Sequence, residues 1–254
     1  MRHIELFYMW EPQRESFIDS HNFYIEQAQK RLISQFDNLN KEADEYGEKW
    51  LEEKSKYFDP ERHDEGEFYE AAYDRSIEYG ILLSEMRDQT IFSVIAGMYH
   101  QWDKQLREWM VQEARHWGRE NVYYKIWKVD VSKIFDLFES MGWSVRSEGF
   151  FYKLDACRLI VNIYKHGNGD SVYQLKKKYP EYFHDYVSQD FYRSGWFDHN
   201  AINLKDEYLK EFSDSILDFW RKVPERIIDS DKLVAPNWLN EALSADNQGK
   251  KVKR

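Results

Sequence analysis

Apolar positions along this chain recur mostly every three or four residues, which is the spacing of one helix face. The first such run covers about residues 17–51, and its opposite face is rich in Glu, Lys, Asp and Gln. A second run covers about residues 68–117, and the polar segment between the two contains Pro60 and Gly66. Because proline and glycine interrupt regular structure, the pattern predicts a long antiparallel helical hairpin over about residues 15–118.

Shorter periodic segments follow the hairpin. One begins after Asp130 or Ser132, either of which is a suitable N-cap, and others cover about residues 152–166 and 204–222. The sequence contains no internal repeat and no linker rich in glycine, proline or serine. The pattern therefore predicts an all-α fold, a helical bundle built on the long hairpin, as a single domain over residues 1–254.

Composition narrows the classes of protein that fit this pattern. Among 254 residues only 11 are glycine and 5 are proline, which disfavours a turn-rich β-sandwich or barrel. The net charge of −10 excludes a general DNA-coating protein. Cys157 is the single cysteine, so no disulfide forms within the chain, and no apolar run has the length of a membrane span. We therefore expect a soluble cytoplasmic protein.

The segment around residues 152–166 has the pattern of a central helix. Its apolar side chains cover most of the helix circumference, whereas polar side chains form one narrow stripe. A buried polar group without a partner costs about 1–3 kcal/mol, so such a stripe needs partners or a function. The stripe consists of Asp155, Arg158, Asn162, Lys165 and His166.

The end of this segment, Asn162-x-x-x-His166-Gly167 after an arginine, resembles the motif of the HEPN superfamily. Members of that superfamily are helical bundles, commonly dimers, and many cleave RNA without a metal by means of an arginine and a histidine. Val161 stands directly before Asn162, where the family has its arginine, and Arg158 lies one helical turn earlier on the same face. The resemblance is confined to this helix and the loop after it, and implies a HEPN-like core over about residues 130–223.

The resemblance implies a metal-independent endoribonuclease that acts on RNA as a homodimer. Arg158 would hold the phosphate, Asn162 would bind the phosphate or orient the histidine, and His166 would transfer the proton. It also implies a role as a toxin or in phage defence, with an antitoxin or defence-system protein as partner. We expect no metal and no cofactor. The residues expected to contact the RNA are Tyr164, Lys165, Lys176 and Lys177.

Structural roles compete with this interpretation. A histidine before a helix-ending glycine is a favourable C-terminal residue, and Asp155 can pair with Arg158 three positions later. Asn162 can be a hydrogen-bonded core amide. The alternative is a non-catalytic helical scaffold or regulatory module whose aromatic-rich hairpin binds another protein or a second copy.

Two Glu-x-x-His spacings raise a third hypothesis, a di-metal bundle. They are Glu113 with His116 and Glu181 with His184. Their flanks are charged, and Pro180 puts the second at a helix start, so coincidence is the better explanation in a chain with 46 acidic residues.

Overall fold

The computed structural model describes residues 5–117, 119–184, 199–228 and 234–252. Helices dominate these residues, and the prediction of an all-α fold is confirmed. Among the described residues, no helix combines the length and the hydropathy needed to cross a membrane. The α-helices are α1 (Glu11–Arg31), α2 (Leu39–Ser55), α3 (Glu65–Ala114), α4 (Glu120–Lys128), α5 (Val131–Ser140), α6 (Phe151–His166), α7 (Asp170–Lys178), α8 (Asp206–Lys222) and α9 (Asn237–Val252).

The chain divides into two compact units. The large unit comprises residues 1–24 and 95–254, and the small unit comprises residues 25–94. The boundaries fall within α1 and α3. The single domain expected over residues 1–254 stays a prediction.

The large unit has a core rich in aromatic side chains. Trp102, Trp109 and Phe219 are at most 1% exposed. The Phe219 ring lies 5.1 Å from the Trp102 ring and 5.4 Å from the Trp143 ring, centroid to centroid. Rings at this separation attract each other beyond the effect of the buried area alone. Many of the aromatic side chains of the sequence therefore belong to the core of this unit.

A small antiparallel sheet, which periodicity did not predict, also belongs to the large unit. Strand β1 (Glu5–Tyr8) pairs with β2 (Arg226–Ile228), and Phe7 stands opposite Ile227. Phe7 is 1% exposed and packs against the Trp109 ring at 5.6 Å. Strands this short carry too few alternating positions to give a recognisable pattern.

The small unit contains α2 and the first part of α3, which pack together through small side chains. Ala43, Gly47, Ala72 and Ser76 are buried. A Cβ atom on Gly47 would lie 2.9 Å from the Ala72 carbonyl oxygen and 2.9 Å from Ser76 Cβ. Glycine at this position therefore permits the close approach of the two helices.

One predicted helix is wrong in its extent. The single helix expected over about residues 17–51 is interrupted: α1 ends at Arg31, a 3-10 helix spans Ile33–Phe36, and α2 begins at Leu39. Asp37 and Asn38 lie at this break, and such side chains compete for backbone hydrogen bonds. A 3-10 helix keeps a three-residue spacing, so the apolar pattern continues across the break.

Candidate functional site

The candidate site is built on α6, which is buried on most of its circumference and packs against α7 and α8. Leu154, Ile160 and Ile163 are at most 1% exposed. The helix ends at Gly167, whose positive φ of 69° suits glycine. Sequence reasoning located this helix and its end correctly.

The N-terminal half of the polar stripe is buried and internally paired. Asp155 is 3% exposed and Arg158 is 9% exposed. Arg158 donates from Nε and Nη2 to Asp155 Oδ1 at 2.9 and 2.7 Å. Asp155 Oδ2 accepts hydrogen bonds from Lys178 Nζ at 3.0 Å and from the Tyr179 hydroxyl at 2.8 Å. The Asp155 carboxylate therefore accepts four hydrogen bonds.

The charge state of this pair follows from these contacts. Burial acts to raise the pKa of Asp155, but the charge and hydrogen bonds of Arg158, with those of Lys178 and Tyr179, lower it below its ordinary value. Burial likewise acts to lower the pKa of Arg158, and Asp155 raises it. Both side chains are ionised at neutral pH. The i,i+3 pairing of Asp155 with Arg158 is confirmed.

The C-terminal half of the stripe emerges from the core. Asn162 is half-buried, and Lys165 and His166 are exposed. His100 on α3 is close enough to Lys165 for the ammonium to affect it. Partial burial and then the Lys165 charge lower the pKa of His100 below 6.5, against the opposing effect of Asp103. His100 is therefore mainly neutral at pH 7, and its ring can accept a proton.

The three predicted catalytic residues do not form one cluster within the chain. Eight positions separate Arg158 from His166, which is about 12 Å along the axis at 1.5 Å per residue. Arg158 belongs to the buried group with Asp155. His166 lies at the exposed end of α6, and Asn162 lies between them. The position directly before Asn162 is filled by Val161, which is 1% exposed and part of the core.

The predicted RNA-contacting residues are also divided. Tyr164 packs edge-on against His199, with ring centroids 5.2 Å apart. Lys176 is half-buried and Lys177 is exposed, both in the last turn of α7. Their neighbour Lys178 bonds Asp155, so this basic run lies towards the Asp155 end of α6. Of the four predicted RNA-contacting residues, Lys165 is the one that directly precedes His166 in the sequence.

Two basic residues on the same helix as His100, Arg107 and Lys104, have partners of their own. Arg107 pairs with Asp103 at 2.9 Å and donates from Nη1 to the backbone carbonyls of Ile126 and Val129, at the end of α4. Lys104 lies 3.7 Å from Glu108. Arg107 thus satisfies the carbonyl groups of a helix terminus.

Sequence reasoning missed two members of the buried group, Lys178 and Tyr179. They are 23 and 24 positions from Asp155, so no local spacing indicates the contact. Within the described residues, no group of three or more His, Cys, Asp or Glu side chains has the arrangement of a metal site. Comparisons of the chain with protein-family models, with curated proteins and with solved structures give no match.

Proposed function

We propose that this protein is a HEPN-like endoribonuclease that cleaves RNA without a metal, in the cytoplasm. The observation that supports it best is the exposed end of α6. There, Lys165 and His166 end a helix whose middle part is buried, and His100 lies near Lys165. Imidazole and ammonium groups are used in metal-independent cleavage of RNA.

Each group has a role in this proposal. His166 donates a proton to the leaving 5′ oxygen, and Lys165 adds positive charge beside the phosphate. His100, mainly neutral, is the second imidazole and accepts the proton of the RNA 2′-OH. Asn162 orients His166 or binds the phosphate. These roles need only side chains, with no metal and no cofactor.

Arg158 is the phosphate-holding group that the resemblance implies. Its hydrogen bonds to Asp155 use Nε and Nη2, which leaves Nη1 for a phosphate oxygen. Because Arg158 and His166 are about 12 Å apart along one helix, we propose that a composite site forms between two copies. Arg158 of one copy would then serve the same phosphate as His166 of the other, as a homodimer allows.

The test is cleavage of a mixed RNA pool by the purified protein in EDTA. His166→Ala removes an exposed side chain, so it should fold normally and lose cleavage by about 100-fold or more. His116→Ala is the matched control, because His116 is also exposed and follows directly on a long helix. Equal cleavage by both variants, or none by folded wild type, would reject the proposal.

A biological role as a toxin or phage-defence effector, with an antitoxin or defence-system protein as partner, belongs to the same proposal. It predicts growth arrest when the chain is expressed without its partner. The arrest should disappear with His166→Ala and persist with His116→Ala. Arrest that persists with both variants would separate the toxicity from RNA cleavage.

A second candidate function is a non-catalytic scaffold or regulatory module. The observation that favours it is a row of exposed apolar side chains on α3 in the small unit, which we call the α3 row. Exposed apolar rows of this kind mark interaction sites on many proteins. A complex that is indifferent to His166 but lost with Ile77→Glu would favour this function. The α3 row consists of Tyr69, Tyr73, Ile77 and Ile81, which are 57%, 65%, 43% and 54% exposed.

A further inference from the structure

The small unit contains an open pocket between the end of α2 and the start of α3, which we call the hairpin pocket. Its volume is about 490 Å³, within the range of small-molecule sites. Four of its lining side chains are apolar or aromatic. It is lined by Glu48, Leu51, Glu52, Ser55, Phe58, Glu65, Phe68 and Tyr69.

The aromatic side of the pocket is ordered by ring contacts. Phe58 and Phe68 meet edge to face with centroids 5.3 Å apart, and both also contact the ring of His63, at 6.0 and 5.5 Å. Tyr69 remains 57% exposed. Aromatic faces attract cations electrostatically and also cover methylene groups.

The charged side of the pocket consists of carboxylates. Glu48 and Glu52 are one turn apart on α2, and Glu65 lies across from them at the start of α3. Throughout the described ranges, no lysine, arginine or histidine forms an ion pair with any of the three. Two of the three basic side chains of α2 have other contacts: Lys41 pairs with Glu45, and Lys54 lies over the Trp50 ring.

We propose that the hairpin pocket binds a linear aliphatic polyamine. Ammonium groups separated by about four methylenes are about 6 Å apart, which matches the rise of the four positions from Glu48 to Glu52 along α2 at about 1.5 Å per residue. The methylene segments contact Leu51 and the aromatic rings. An inorganic dication would satisfy the carboxylates but leave the apolar side uncovered. The inference is independent of the proposed RNA cleavage.

The test is calorimetric titration of the full chain with spermidine. The double variant Glu48→Gln/Glu52→Gln should weaken binding by about tenfold or more, because two charge-assisted contacts are lost. Glu45→Gln/Glu53→Gln is the control, since it removes the same charge from the same helix outside the pocket. Tyr69→Ser should weaken binding by about two- to fivefold through the lost cation–π contact.

Titration with hexaamminecobalt(III) distinguishes specific polyamine binding from nonspecific neutralisation of the carboxylates. It carries the same charge as spermidine but has no methylene chain. We expect it to bind more weakly than spermidine and to be insensitive to Tyr69→Ser. Equal binding of the two cations, or equal loss of spermidine binding in the pocket and control double variants, would overturn the proposal.

Discussion

The large and small units stabilise their helices by different means. In the large unit, side chains as big as Trp102, Trp109 and Phe219 are fully buried and contact other rings. In the small unit, α2 and α3 meet through alanine, glycine and serine, while Tyr73 and Leu82 are 65% and 60% exposed. An apolar helical pattern is present in both. The difference shows that an apolar helical pattern predicts a helix but does not predict whether the apolar face is buried against other parts of the protein.

The two units also differ in charge. Residues 25–94 contain 18 acidic and nine basic residues, so the small unit carries −9 of the net −10 of the chain. The large unit, which contains α6, is close to neutral. Net negative charge disfavours phosphate binding, and this charge belongs almost wholly to the residues of the small unit.

The largest expected effect is the loss of a core ring from the large unit. Phe219→Ala removes a side chain that is 0% exposed and contacts the rings of Trp102, Trp143 and Phe150. We expect the free energy of unfolding to fall by about 3–5 kcal/mol, from lost burial and the cavity left behind. Urea denaturation followed by tryptophan fluorescence measures it. A loss below about 1 kcal/mol would mean that this core collapses to fill the space.

Breaking the buried ion pair should have the next largest effect. Arg158→Leu leaves the Asp155 carboxylate buried with only Lys178 and Tyr179 as partners, which should cost about 3 kcal/mol. The double variant Asp155→Asn/Arg158→Leu removes the uncompensated charge and should recover much of this loss. Denaturation of all three proteins at pH 7 gives the comparison. A double variant less stable than Arg158→Leu would contradict the expectation that Arg158 neutralises the buried Asp155 carboxylate.

The same pair predicts a pH dependence. Because the pKa of Asp155 is lowered in the folded state, its stabilising effect is complete above its unfolded pKa and is lost as pH falls through its folded pKa. The difference in unfolding free energy between wild type and Asp155→Asn should be constant from about pH 7 to 5 and shrink below about pH 4. Denaturation across this range measures it, and a difference that grows on acidification would contradict the lowered pKa.

The fold was largely predictable from local patterns, and its exceptions have local causes. Helix spacing located α3, α5 and α6, and Asp130 caps α5 by accepting a hydrogen bond from the Ser132 amide at 2.8 Å. At the candidate site, the sequence indicated α6, its end at Gly167, and the i,i+3 pair of Asp155 and Arg158. The other hydrogen-bond donors to Asp155 are Lys178, the last residue of α7, and Tyr179, which follows it. The exposure of His166 depends on how neighbouring helices cover α6. Both features depend on tertiary packing, which the spacing of apolar residues along the sequence does not reveal.

A smaller effect is expected where the two helices of the small unit approach closely. Gly47→Ala puts a Cβ within 2.9 Å of the Ala72 carbonyl oxygen, so the helices must separate. We expect a net loss of about 1–2 kcal/mol, because the strain exceeds the gain in helix propensity. Gly80→Ala is the matched control on α3: its Cβ meets Ala43 Cβ at an ordinary 3.4 Å. Hydrogen exchange of α2 amides should accelerate in the first variant alone, and equal exchange in both would reject the close-contact explanation.

The smallest effect is expected on the exposed face of the small unit. Leu82→Ser replaces a side chain that is 60% exposed, so little buried area is lost. We expect the unfolding free energy to change by less than about 0.5 kcal/mol, in contrast to the several kcal/mol at Phe219. Denaturation under the conditions used for Phe219→Ala makes the two values comparable. A loss above about 1 kcal/mol at micromolar protein that vanishes on dilution would show that Leu82 is covered in a complex of two copies, because the apparent stability of an oligomer depends on its concentration.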